Sequence, residues 1–317
     1  MLDTIEQLRK DGLIDTKQSR LLADIYSKKV YSLYYEHKAI LLTGVLSLST
    51  GLGIWIYENI GSFGHKLILV SISALFLLCL GYVTKHKRPF KFKKVESPGA
   101  FHDYILLLAC LLFLTLQGYL QYQYSLFTGR WDLGALIPTI LFFYLAYQHD
   151  HQGVLTLAIT GLTAWVGLEF TPKAVLAGET FADSRLIATG IIYSILLFTF
   201  AVTLSKLGIK RHFTFNYLNF CSHILCLSLL HALFEFDMDF FYLLLLLATC
   251  VVLFRYARTH DSFIFLLYSV IYGYIGISYT ILKDVQSEEA GFLYFAITGA
   301  IMVFSLINFK KVLSIGR

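Results

Sequence analysis

Apolar residues in this chain come in unbroken blocks of about 17–22 residues, separated by short polar stretches. The blocks fall at 39–57, 67–83, 103–124, 132–148, 153–171, 185–204, 213–234, 240–256, 262–282 and 291–309. A helix half-buried in a soluble core would show a polar residue at every third or fourth position, and these blocks do not. A helix rises about 1.5 Å per residue, so about 20 residues cross a hydrocarbon core about 30 Å thick. The pattern predicts an all-α fold, a polytopic transmembrane bundle of ten spans.

Composition agrees. The chain is 57% hydrophobic and 15% charged, where soluble domains average about 25% charged. The 26 Lys and Arg residues divide 21 to 5 between the two alternating sets of connections and ends. Positive charge stays in the cytoplasm, so both termini are expected there. A pI of 8.8 could point to nucleic acid, but the basic residues lie in loops, where they orient spans. The partners implied are membrane lipids, and no nucleic acid. The densest run, "KHKRPFKFKK" at 85–94, reads as a topology anchor, with anionic head groups as the more specific alternative. The outer connections "EFDMD" at 235–239 and "KDVQSEEA" at 283–290 are acidic. That obeys the charge rule; attraction of cations is the alternative.

Five cysteines, Cys79, Cys110, Cys221, Cys226 and Cys250, all fall inside apolar blocks. They read as packing residues, with neither a disulfide framework nor a metal site. A stretch of 38 mixed-charge residues precedes the first block, so no cleavable signal peptide is expected.

That stretch, 1–38, predicts a cytoplasmic helical hairpin. Ile5 and Leu8 share a helix face, and Gly12 ends the helix in a left-handed turn. Asp15 with Gln18 three residues on forms a capping-box pattern, and Leu21, Leu22, Ile25 and Tyr26 make the next apolar face. Helices are expected at 3–11 and 16–36. The stretch "LRKDGLIDTKQSRLL", followed by the Gly/Ser-rich "TGVLSLSTGLGIWIYENIGSFGHKLIL", resembles an uncharacterised family of predicted bacterial membrane proteins, a domain of unknown function, over about residues 3–85. The resemblance implies a bacterial inner membrane and no known activity. Within the first span Thr43, Ser47, Thr50 and Gly51 share a face. Small residues allow close helix approach, so this span is expected to be buried.

Chemistry has to come from polar residues inside the spans. No Asp, Glu, Lys or Arg lies near the middle of any span, which argues against carboxylate-driven coupling. No membrane-protease pattern is evident. Haem between spans needs His from facing helices, and His223 and His231 lie on one, so no cofactor is expected. The seventh span carries Asn216, Asn219, His223 and His231. Such a stripe in lipid must meet protein or water, either as interhelical hydrogen bonds or as a cavity lining with His223 near mid-depth. Gln117, Gln121 and Tyr124 lie on one face at the end of the third span, as a vestibule or an interfacial anchor. Tyr268, Tyr272, Gly276 and Tyr279 share a face of the ninth, with Tyr272 too deep for an aromatic belt. The inner turn "HDH" at 149–151 reads as a solvated tight loop, against a metal or catalytic site.

Five spans per half, 39–171 and 185–309, make the halves inverted in the membrane. Pro138 and Gly273/Gly276 fall in corresponding fourth spans, a pointer to a carrier binding site. The layout is similar to that of the drug/metabolite transporter superfamily in span count and length. Three functions follow. One is a carrier of a small neutral or amphipathic molecule, with His223, Asn219, Asn216, Tyr272, Gln117 and Gln121 as its substrate-binding residues. Another is an assembly partner docking a protein at residues 1–36. The third is a lipid-modifying enzyme using His223 or the HDH turn as base, disfavoured because no acid is evident to orient the His. Oligomeric state is not indicated.

Overall fold

The computed structural model describes residues 6–9, 11–12, 15–19, 24, 34–127, 130–170, 184–236, 239–283 and 287–308. Most of the expected second hairpin helix, parts of four connections between apolar blocks and the C-terminal basic residues lie outside them. The described part of the hairpin carries its turn chemistry. Gly12 has φ +70°, and the Asp15 N–H donates to Gln18 Oε1 at 2.9 Å, one half of the capping box.

Among the described residues ten α-helices follow: α1 (Tyr34–Phe63), α2 (His65–Lys85), α3 (Ala100–Tyr124), α4 (Trp131–His149), α5 (Gln152–Phe170), α6 (Ser184–Leu207), α7 (Thr214–Glu235), α8 (Asp239–His260), α9 (Phe263–Leu282) and α10 (Glu288–Ile307). A short 3-10 turn at Arg211–Phe213 leads into α7. Each helix covers all but at most two residues of one apolar block. Among the described residues α1, α2, α3, α6, α7, α8 and α9 are long and apolar enough to cross a membrane. In α5 and α10 the apolar stretches are shorter, at Gln152–Gly167 and Gly291–Phe304. Helix α4 has polar ends, Asp132 at one and Gln148 with His149 at the other.

Helices end where the backbone turns left-handed. Asp150 (φ 58°), Gly208 (φ 73°) and Asp261 (φ 49°) follow α4, α6 and α8. In each case the next N–H reaches back five residues: His151 to Ala146 O, Ile209 to Leu204 O and Ser262 to Ala257 O, at 2.9–3.0 Å. That bond satisfies a terminal carbonyl and reverses the chain tightly. Asp tolerates this conformation better than most residues.

The reversals pair α4 with α5, α6 with α7 and α8 with α9, and α2 packs on α3. Helix α7 also touches α5, α8 and α9. Its most apolar window is 50% buried, against 0% for α1. A single core of side chains runs from Val83 and Leu106 through α4–α7 to Leu266 and Tyr272, crossing the boundary between the two five-helix halves. A second cluster joins α2 and α3 through Ile68, Ile72, Ala109 and Leu112.

The expectation that α1 is buried fails. Thr43, Ser47, Thr50 and Gly51 are exposed, and the partly covered line is Leu41, Val45, Ser49 and Leu52. Small residues permit close approach but do not supply a partner, and among the described residues α1 packs chiefly on α2 and α3. Close approach occurs elsewhere. A Cβ at Gly161 of α5 would overlap Thr139 Oγ1 of α4, and one at Gly190 of α6 would overlap Ser228 Oγ of α7.

Helix α4 contains Pro138. Proline has no N–H, so the carbonyl of Gly134, four residues earlier, loses its helical donor. Gln117 Nε2 of α3 donates to that carbonyl instead. The next turn along, Gln121 Oε1 accepts the Phe127 N–H at 2.8 Å.

Gly161→Val should lower stability by about 1–3 kcal/mol through overpacking. Gly51→Val, where nothing lies within 4 Å of the added carbon, should leave the detergent thermal midpoint unchanged. Equal losses at both sites would contradict the peripheral placement of α1. Separately, Gln117→Leu should cost about 1–3 kcal/mol, the price of an unpartnered buried carbonyl. In a Pro138→Ala background, where the helix supplies its own donor, that cost should shrink. A cost that persists there would rule out the proposed exchange of donors.

Candidate functional site

One end of the bundle is built from three turns distant in sequence. Asp150 caps α4, and its carboxylate is 2% exposed. Asp150 Oδ2 accepts a hydrogen bond from Lys210 Nζ at 2.9 Å and another from the Val95 N–H at 2.5 Å. Oδ1 lies against His212 Nε2. Lys210 is 1% exposed, and its ammonium sits 5.0 Å from the Phe90 ring centre, a cation–π contact. Its own N–H donates to Phe92 O at 2.7 Å. The 84–99 connection, the α4–α5 turn and the α6–α7 turn are thereby pinned to one buried ion pair.

This corrects the reading of the HDH turn as solvated. The turn is tight, but His149 and Asp150 are buried. The His149 ring packs 5.4 Å from that of His102. His151 Nδ1 accepts the Val154 N–H at 3.0 Å and so caps the start of α5. Burial pushes the His151 pKa below its usual value, with Asp103 pulling the other way. The neutral ring keeps the acceptor nitrogen that the cap requires. Sequence reasoning missed the pairing because its partners lie 60 residues apart. The available signal was a charged residue at each of two left-handed turns joining spans.

Beside the ion pair lies a cavity of about 510 Å³. Lys38, Lys94, Asp103, Tyr104, His151 and His212 contribute polar wall, and Leu42, Val95 and Leu107 apolar wall. Tyr104 Oη donates to Lys38 O at 2.8 Å, which brings the start of α1 to the same end. A second cavity, about 230 Å³, lies between α5, α6 and α7, walled by Thr163, Gly167, Tyr193, Ser228 and His231 among others. Tyr193 Oη and Thr163 Oγ1 are hydrogen-bonded beside it at 3.0 Å. Both cavities touch α5, the first through Gln152 and Gly153, the second through Thr163 and Gly167. Leu155, Ala158 and Ile159, each fully buried, lie between these two stretches of α5.

The six residues singled out in sequence do not form one site. Asn216 Nδ2 donates to Thr156 Oγ1 of α5 at 3.0 Å. Asn219 lies beside Tyr268 of α9, with its Oδ1 buried and without a hydrogen-bond partner among the described residues. His223 Nδ1 and Tyr272 Oη are 2.5 Å apart, and the His223 ring also lies 5.3 Å from that of Tyr268. Tyr272 is buried, whereas His223 keeps one side exposed. His231 turns to the α6 side and lines the smaller cavity. The polar stripe of α7 thus splits among three neighbours, because a central helix has no single inward face. Gln117 and Gln121 serve backbone groups at the α3–α4 connection. Among the described residues, no group of three or more His, Cys, Asp or Glu is placed to hold a metal ion.

Lys210→Met leaves a buried carboxylate without its cation and should cost about 3–5 kcal/mol. The double variant Lys210→Met/Asp150→Asn should lose less than the sum of the single losses, as contacting pairs do. Thermal unfolding of the detergent-solubilised chain measures both. Additive losses would mean that the two side chains do not act as a pair.

No curated protein and no solved structure matches the chain. The family comparison reaches further than the N-terminal resemblance, through α4 and across the HDH turn. Its matched segment and the apolar helices together make this a membrane-embedded protein, and residues 6–155 match the family described as Predicted membrane protein (DUF2157).

Proposed function

We propose that the protein is a carrier of a small amphipathic molecule, a ten-span protein of the bacterial inner membrane with both termini cytoplasmic. The observation that carries this reading is the pair of cavities along α5, with the fully buried Leu155, Ala158 and Ile159 between the stretches that border them. Alternating access needs such an arrangement, in which a barrier opens to one side at a time. The larger cavity mixes charged and apolar walls, which suits a cargo with a polar head and an apolar body. The absence of acidic or basic residues from mid-span speaks for cargo without net charge. The inverted five-plus-five arrangement is consistent with Pro138 and Gly273 in corresponding helices. The orientation rests on the 21 to 5 division of basic residues. It agrees with the meeting of the basic 85–94 segment, the HDH turn and Lys210 at one end.

The test has two parts. Single cysteines at Ala177 and Ser97 should react with an impermeant thiol reagent in intact cells at the first position only. Purified protein is then screened by thermal shift against neutral and amphipathic small molecules, and hits are followed as uptake into liposomes. Leu107→Trp narrows the larger cavity and should abolish uptake while leaving the unliganded midpoint in place. Labelling at Ser97 would overturn the orientation. Unchanged uptake in Leu107→Trp would overturn the carrier path.

A further inference from the structure

A groove of about 680 Å³ runs between α8 and α9, away from both cavities of the carrier reading. Leu247, Val251, Phe254, Gly273 and Ile277 line its length, and Arg255 and Arg258 lie at one end. No acidic residue is among those lining it. Val251 and Ile277 remain 52% and 40% exposed, so the groove is open at its side.

We propose that this groove holds one anionic phospholipid, with an acyl chain along α8 and α9 and the phosphate on Arg255 and Arg258. Three observations fit. Arg255 and Arg258 are three residues apart, so they project from one face of α8. Arginine's planar fork matches phosphate oxygens. The dimension also fits. From Leu247 to Arg258 the helix rises about 16 Å, close to half of a hydrocarbon core about 30 Å thick. The groove therefore spans one leaflet, with its cations at head-group depth. Gly273, lacking a side chain, forms the floor, and the nearest atom to a Cβ built there is Cys250 Sγ at 3.7 Å. Basic positions at the cytoplasmic ends of spans meet an anionic leaflet. Assignment to the inner leaflet rests on the orientation proposed above; binding of the lipid does not.

The experiment uses the full chain in neutral detergent and native mass spectrometry, with phosphatidylglycerol and phosphatidylcholine of matched chains added in series. One phosphatidylglycerol should be retained at a concentration about tenfold or more below that needed for phosphatidylcholine. Arg255→Gln/Arg258→Gln should bring the two lipids level. Val251→Trp, at an exposed position, should reduce retention of both lipids by filling the groove. Equal retention of the two lipids by the unaltered chain would overturn the proposal. So would phosphatidylglycerol retention unchanged in the double variant. A dimer in which a cysteine at 251 is protected and no lipid is retained would assign the groove to a second copy, and would overturn it too.

Discussion

In hydrocarbon, each backbone carbonyl without a donor costs several kcal/mol, and this constraint organises the bundle. Hydroxyls along the helices mostly bond the carbonyl four residues back in their own helix, as Thr115, Thr139, Ser194, Thr249 and Thr280 do. They consequently need no neighbour. Where a helix cannot satisfy itself, at Pro138, another helix must, and Gln117 is committed to that task. The left-handed turns after α4, α6 and α8 solve the same problem at helix ends. The ion pair of Asp150 and Lys210 extends it to charge, since a buried carboxylate is tolerated only with its cation.

The positions of the helices were legible in the sequence, because hydropathy and length alone determine where a chain can cross a membrane. Gly12, Asp15 and Gln18 were legible for the same kind of reason, as their chemistry is local. Burial was not. Thr43, Ser47 and Gly51 have the composition of an interface and lie on an exposed face, because a face is buried only by what stands opposite. The stripe of α7 was read as one inward face, making interhelical hydrogen bonds or lining a cavity; interhelical bonds form at Asn216 and His223, but Asn216, His223 and His231 address three helices. Tyr272 and His223, grouped in one site from sequence, do meet, since both fall at similar depth on spans that run in the same direction. Gln117 and Gln121 looked like ligand groups; the need they meet is created by a proline and a turn on another segment.

The division of labour along α7 also bears on any conformational change. Its neighbours on the α5 and α6 side border the smaller cavity, while its α9 side is held through His223 and Tyr272. Motion that opens a cavity would have to part α7 from one set of neighbours while keeping the other. The close Gly190–Ser228 approach and the His223–Tyr272 bond mark the two seams between which that choice falls.

The pairing of Asp150 with Lys210 also sets an order for biogenesis. The two residues are 60 positions apart, and the ribosome adds about 5–20 residues per second. For several seconds after α4 and α5 have emerged, the carboxylate has no lysine to meet. The first five helices cannot complete the ion pair during that interval. The nascent chain must shelter Asp150 in water, or in the insertion machinery, until α6 has crossed and turned back at Gly208.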